Sequence, residues 1–278
     1  MNESDPGHIF PTPINGLSSP FYYAALNSLF LYYQVDAARV ARHLEGTGLR
    51  AALFDGMALA NLDVQRYLAS YNVALGETVE VEFNVVAYPA ARAVQAPKIS
   101  LKEYLGGQEQ TKTFGNYRLH VACDNKMAVK AGRELYGEAK FYTTFTYNVP
   151  DLNAPEVSTW QFTCNDPHDA KLAIFNLETD LANLPAKAVS MSPIVDYSML
   201  KLHGAQPRLN QSWRNLLGYF QMYDTTARAG AVKLDYGESE TRMRRDMQEI
   251  IRAAPCVAAQ WFVSPPACIE GRGFFVES

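Results

Sequence analysis

The clearest hydrophobic pattern in the chain runs from Thr78 to Tyr88. Val79, Val81, Phe83 and Val85 alternate there with Glu80, Glu82 and Asn84. Successive side chains on a strand point to opposite faces, so this spacing predicts a half-buried strand of an antiparallel sheet. Ser28 to Val35, apolar and aromatic at Leu29, Phe30, Leu31, Tyr32 and Tyr33, predicts a buried strand. Asp36 then offers an N-cap, Ala37, Val40, Ala41 and Leu44 fall at helical spacing, and Gly46 ends the helix. Strands are expected around Leu53 to Leu62 and Asn116 to Cys123. Asp124 or Asn125 caps a short helix through Lys130 that ends at Gly132.

In the second half, Phe141 to Tyr147, Val157 to Cys164 and Lys171 to Leu177 read as successive strands. Asn148-Val149-Pro150 and Asn165-Asp166-Pro167 supply the turns between them. Ile194 to Lys201 reads as a further strand. Glu238 to Ala253 is the strongest helix, with Met243, Met247, Ile250 and Ile251 as its stripe and Pro255 beyond its end. Val257 to Val263 and Ile269 to Val276 carry strand signals. Residues 1–20, with Pro6, Pro11, Pro13, Pro20 and Gly16, predict an extended N-terminal arm, and Ala91 to Gly115 a polar excursion or hairpin. No repeat or linker divides the remainder, so residues 21–278 are expected as one domain. The fold class is α+β, mostly antiparallel β: a barrel or curved sheet with a few helices.

Composition narrows the function classes. The net charge of -4 argues against a nucleic-acid partner. No apolar run approaches the roughly 20 residues that span a bilayer, so no membrane partner is expected. The polar start from Met1 to Pro13 lacks the basic and apolar parts of a signal peptide, and the expectation is a cytoplasmic protein. Cys123, Cys164, Cys256 and Cys268 are widely spaced and read as buried free thiols rather than disulfides. The histidines show no metal spacing, and His120 and His168 read as structural. Neither a Gly-x-Gly-x-x-Gly or phosphate loop nor a Gly-x-Ser-x-Gly elbow is present, so no cofactor is implied.

One segment suggests a chemistry. Ala131 to Phe141 reads Ala-Gly-Arg-Glu-Leu-Tyr-Gly-Glu-Ala-Lys-Phe and places Lys140 between small and aromatic residues after a glycine turn. An exposed lysine titrates near 10.4, whereas burial in an apolar pocket lowers that value and frees a nucleophilic amine. A solvated lysine at the mouth of a turn is the plain alternative.

Gly132-Arg133-Glu134-Leu135 followed by Lys140 resembles the acetoacetate decarboxylase family, whose motif runs Gly-Arg-Glu-apolar, a turn, then Pro-Lys-Lys. Leu31-Tyr32-Tyr33-Gln34-Val35-Asp36 looks like the family's first strand and helix. Phe54-Asp55-Gly56-Met57-Ala58-Leu59 looks like the next strand, and Ser70-Tyr71-Asn72 like the opening of the one after. The resemblance covers roughly residues 20 to 147. It implies a cone-like β-barrel with a central cavity, a homo-oligomer, and an imine formed between Lys140 and a small-molecule carbonyl substrate. Such lysines are activated by desolvation or by a neighbouring cation, as in acetoacetate decarboxylase. Asp55 falls at a family glutamate and is a candidate acid or base, beside its reading as a turn residue before Gly56. Tyr136 is expected to line the cavity, and Arg133 and Glu134 to hold the loop.

The chain also departs from the motif. Phe141 stands at the second lysine, Ala139 at the proline, Leu26 at an arginine, and Tyr71-Asn72-Val73 at a Tyr-x-Glu. Phe141, Tyr71, Leu26 and Val73 are therefore expected to shape a remodelled substrate pocket. The function expected is a Schiff-base lyase acting on a small carbonyl or keto acid through Lys140. Aldol, dehydration or other enamine chemistry fits better than acetoacetate decarboxylation. A 3-keto-acid decarboxylase, with Arg66, Arg92 or Arg118 available for the carboxylate, is the alternative. A non-catalytic small-molecule-binding barrel is the second. Residues 210–236, with Trp213, Tyr219, Phe220 and Tyr223, are expected to close the cavity or form an oligomer interface.

Overall fold

A computed structural model describes residues 10–14, 17–19, 21–70, 75–150, 157–201 and 205–264. Two sheets carry the fold. The larger runs, in spatial order, through Ala186–Val189, Phe220–Asp224, Cys256–Val263, Tyr22–Val35, Met57–Ser70, Leu75–Pro89, Gly115–Cys123, Ile194–Leu200 and Arg208–Arg214. The short strand Lys140–Tyr142 lies parallel to Gly115–Cys123, with Lys140 opposite Val121. The smaller sheet holds Phe145–Asn148, Thr159–Asn165, Ala173–Asp180 and Val232–Tyr236, all antiparallel.

The alternation in the sequence sets the layers. Leu29, Leu31, Leu62, Val64, Val81 and Phe83 lie on one face of the large sheet. They pack against Phe162, Phe175 and Leu177 of the small sheet and Met243, Met247 and Ile250 of the helix Arg242–Ile250. Burying side chains of this kind stabilises by about 1.5–3 kcal/mol each. A second apolar cluster on the opposite face gathers Phe30, Tyr32, Phe54, Val86, Phe220 and Phe262.

That opposite face is rolled inward. Arg214 lies four strands away from Asp63, a separation of about 19 Å in a flat sheet at 4.8 Å per strand. The Arg214 guanidinium nevertheless stands 3.1 Å from the Asp63 carboxylate. The roll stays open: among the described residues, the terminal strands Ala186–Val189 and Arg208–Arg214 do not pair with each other. The mostly β architecture with few helices is as expected from the sequence, and the closed barrel is replaced by this open, curled sheet.

Several boundaries differ for identifiable reasons. The strand expected around Leu53 to Leu62 is a hairpin, Leu53–Phe54 turning into Met57–Ser70. Asp55 and Gly56 take φ of 53° and 81°, the left-handed pair that two-residue hairpins use. The strand expected from Phe141 to Tyr147 is split between the sheets. Thr143 makes the crossing, its N–H donating to the Cys123 carbonyl and its hydroxyl to the Asn165 carbonyl. Ala91 to Gly115 forms no hairpin and instead holds the short helix Leu101–Leu105, opened by a Ser100–Glu103 capping box. The last helix begins at Arg242 because Thr241 caps it, accepting from the Arg244 N–H. The described part of the N-terminal arm is not merely extended: Phe10–Pro11 pairs with Ser18–Ser19, and Ile14 and Leu17 are buried. The strand expected at Ile269 to Val276 lies outside the described residues. No helix among the described residues is long and apolar enough to cross a membrane.

Candidate active site

The polar side of the Leu75–Pro89 strand faces into the roll rather than solvent. Glu80, Glu82 and Asn84 are 4%, 1% and 0% exposed. Buried carboxylates require partners, and the neighbouring strands supply them. Arg118 contacts Glu82 at 3.0 Å, Asp196 at 2.9 Å and also Glu138. Arg214 contacts Asp63 at 3.1 Å, Glu82 at 3.4 Å and Asp196 at 3.5 Å. Gln65 donates to Asp63 at 2.8 Å and to Glu82 at 3.0 Å, while the Ser28 hydroxyl donates to Asp63 at 2.6 Å.

Lys140 enters this network from the edge of a cavity of about 470 Å³. Its ammonium lies 2.6 Å from Glu80 Oε2 and 3.5 Å from Glu138 Oε2, and the Tyr67 hydroxyl donates to the same Glu80 oxygen at 2.9 Å. The motif around it has a local logic. Asn125, rather than Asp124, caps the helix Lys126–Ala131, accepting from the Met127 and Ala128 N–H groups. The helix widens into a π-helical turn, Gly132–Tyr136, which ends at Gly137 with φ of 76°. A Cβ on Gly132 would stand 2.3 Å from Glu138 Oε2 and 2.6 Å from Lys140 Cδ, so the motif glycine makes room for the lysine and its partner. Arg133 Nε donates to the Lys140 carbonyl and ties the turn to the strand.

Electrostatics reverses one expectation. Burial alone favours the neutral amine, but the carboxylates of Glu80 and Glu138 outweigh it and hold the Lys140 pKa well above the ordinary lysine value. Burial pushes Asp63 up to about 8 against the opposing pull of Arg214, and the neighbouring charge of Glu82 adds to the rise. Burial also raises Asp196, despite Arg118 and Arg214. Glu82 is buried too, yet those two guanidiniums carry it below its usual range.

The other candidate residues divide. Tyr136 is half-buried at the cavity wall, beside Phe21 at 6.2 Å. Phe141 does not face this cavity: alternation on its strand turns it toward the adjoining cleft and the core between the sheets. The position of the family's second lysine therefore points away from the Lys140 amine. Asp55 is an exposed residue of the hairpin turn and is not among the residues lining the cavity. Leu26 packs into the second apolar cluster and is not among the residues lining the cavity. Glu134 is exposed. Tyr71 and Val73 lie outside the described residues.

The carboxylates and guanidiniums anticipated at those positions come from elsewhere: Asp63, Glu80, Glu82, Glu138 and Asp196, with Arg118 and Arg214. The signal for Glu80 and Glu82 was their alternation with valines, which reads equally well as a solvent face. From residues 210–236, Arg214, Leu216 and Leu217 close one side of the cavity.

Elsewhere, Cys123, Cys164 and Cys256 are buried free thiols, as expected, and Cys268 lies outside the described residues. His120 pairs with Asp246 at 2.6 Å, and His168 is exposed. His43, Asp246 and Glu249 bring ligand-type atoms within 4.8 Å of one another. Arg42 pairs with Glu249 and His120 with Asp246, which ties neighbouring elements together, while Arg242 pairs with Asp246 within one helix.

No protein-family model and no curated sequence matches the chain. Solved structures do. The enduracididine biosynthesis enzyme MppR, complexed with the condensation product of pyruvate and imidazole 4-carboxaldehyde, superposes with a TM-score of 0.58 at 10% identity, over 88% of this chain and 85% of its own. An acetoacetate decarboxylase-like enzyme from Sphingomonas wittichii RW1 gives 0.58 at 13% identity, over 91% and 93%. Acetoacetate decarboxylase from Legionella pneumophila gives 0.55 at 9% identity, over 95% and 91%. These likenesses give the chain an acetoacetate decarboxylase-like fold, divergent in sequence.

Proposed function

We propose that the protein is a Schiff-base-forming enzyme of the lyase type, which joins a small carbonyl compound to Lys140. The observation that carries this reading is a buried amine at the edge of a 470 Å³ cavity, in direct contact with a carboxylate from another strand. Glu80, at 2.6 Å, takes the ammonium proton when a carbonyl compound enters. The freed amine adds to the carbonyl carbon. The hydroxyl of the resulting carbinolamine then recovers that proton and leaves as water, and the nitrogen lone pair closes the C=N bond. The iminium carries the same single positive charge as the ammonium it replaces, so the carboxylates that stabilise one stabilise the other. The high resting pKa of Lys140 is thus the cost of a site matched to the charged intermediate.

Removal of a proton from the adjacent carbon by Glu80 or Glu138 then gives an enamine, which adds to a second carbonyl compound whose oxygen takes that proton back; loss of water leaves an unsaturated iminium, and its hydrolysis releases the product and restores the Lys140 ammonium. The condensation product bound to MppR is of this kind, which supports the choice. Decarboxylation has less support, because Arg118 and Arg214 are both engaged by internal carboxylates.

The test is reductive trapping. Incubation with a panel of aldehydes and ketones plus cyanoborohydride should add the reduced adduct mass to the peptide containing Lys140, and Lys140→Ala should abolish it. Absence of an adduct across the panel, or an undiminished adduct in the variant, would sink the proposal.

A further inference from the structure

The charges around the cavity do not balance. Among the described residues, Asp63, Glu80, Glu82, Glu138 and Asp196 form ion pairs only with Arg118, Lys140 and Arg214. The group carries a formal charge of -2 when fully ionised, and -1 with a proton on Asp63. Both guanidiniums are engaged by carboxylates: Arg118 holds Glu82, Glu138 and Asp196, and Arg214 holds Asp63, Glu82 and Asp196. Their Nε atoms make no hydrogen bond, but they are sealed from the cavity's solvent and out of a ligand's reach. An incoming carboxylate finds no uncommitted guanidinium and meets a negative field at close range, where screening is weak.

The mouth is different. Phe21, Tyr22, Tyr23, Trp213 and Leu217 line it. Tyr22, Trp213 and Leu217 are 59%, 60% and 87% exposed, so the cavity's lining carries apolar surface open to solvent. The cavity, about 470 Å³, far exceeds the space a three-carbon carbonyl compound fills. Aromatic faces at the entrance of a negative cavity favour cations and flat apolar groups.

We infer that the Lys140 cavity selects neutral or cationic carbonyl compounds bearing an aromatic or apolar group, and rejects keto acids. The inference rests on the Schiff-base reading for its carbonyl part; its charge selection rests on the cavity alone. The carbonyl group reaches the buried Lys140 amine, and the apolar group packs on the exposed side chains of Tyr22 and Trp213 that line the same cavity.

Two arms on the unmodified protein test it. In the first, 4-formylbenzoate, benzaldehyde and 4-(trimethylammonio)benzaldehyde are trapped with cyanoborohydride, each rate divided by its rate with butylamine. The cationic aldehyde should exceed the carboxylate at least ten-fold, about 1.4 kcal/mol, with benzaldehyde between. Equal or faster labelling by 4-formylbenzoate overturns the inference. The second arm needs no imine: calorimetry should show benzyltrimethylammonium binding at least ten-fold tighter than benzoate, and the reverse order overturns charge selection. If no aldehyde labels Lys140 while this preference holds, the Schiff-base reading falls and charge selection stands. Trp213→Ala, at an exposed position, should weaken benzyltrimethylammonium binding at least three-fold; unchanged affinity removes the rim from the proposal.

Discussion

Asp63 shows how one buried side chain sets the behaviour of the whole charged group. Its carboxyl is pushed up to about 8 in the folded protein, against about 3.9 in an unfolded chain. The folded state therefore binds more protons between these values. Its contribution to stability is complete below about pH 3.9 and is lost as pH rises toward about 8. Asp63→Asn removes the titrating group and keeps a side chain of similar shape. Relative to that variant, the wild-type protein should lose stability between pH 5 and 8, by at most about 1.4 kcal/mol per pH unit. Urea unfolding at a series of pH values checks this, and parallel curves for the two proteins would refute it. Lys140 is raised for a different reason: burial opposes its charge, and the carboxylates of Glu80 and Glu138 outweigh burial.

Among the elements, the π-helical turn Gly132–Tyr136 connects motif to site. Its first residue is glycine because Glu138 and Lys140 occupy the space a Cβ would take. Gly132→Ala should displace both side chains, cost about 1–3 kcal/mol and reduce trapping at Lys140 at least ten-fold. Thermal unfolding and adduct yield measure the two effects separately, and a variant with normal yield would show that the lysine does not depend on that space. The strand Leu75–Pro89 makes a related point. Its valines form the core between the sheets, while its glutamates line the roll, so both faces are buried. Alternation establishes that the faces differ; it does not say which one meets water.

For the whole molecule, the curl of the large sheet is what assembles the site. Arg214, on a terminal strand, reaches back to carboxylates on three other strands. Arg214→Met would leave those buried carboxylates without a partner and should destabilise by about 3–5 kcal/mol. The exposed pair Lys233–Glu178 provides the contrast, since Lys233→Met should leave the unfolding transition nearly where it is. Unfolding followed by the fluorescence of Trp160, buried in the core between the sheets, reports both. A small effect at Arg214 would mean that the roll holds without it.

Much of the architecture was legible in the chain. Periodicity is a local property, so Ser28 to Val35, Thr78 to Tyr88, the Asp36-capped helix and the Met243–Ile251 stripe could be found from spacing alone. The motif from Gly132 to Lys140 is also local, and it located the buried lysine. The hairpin at Asp55-Gly56 was harder, because a catalytic aspartate and a turn aspartate look alike until the backbone angles are known. The site's remaining groups were out of reach for a stronger reason. Asp63, Glu80, Arg118, Asp196 and Arg214 are separated by up to 151 residues and meet only because a twisted sheet rolls one face inward. By itself the sequence determined which residues share a strand face and where the lysine sits. Tertiary structure decided which face became the interior, and so whether Lys140 would meet apolar side chains or carboxylates. Burial and charge act through space, and no spacing along the chain encodes them.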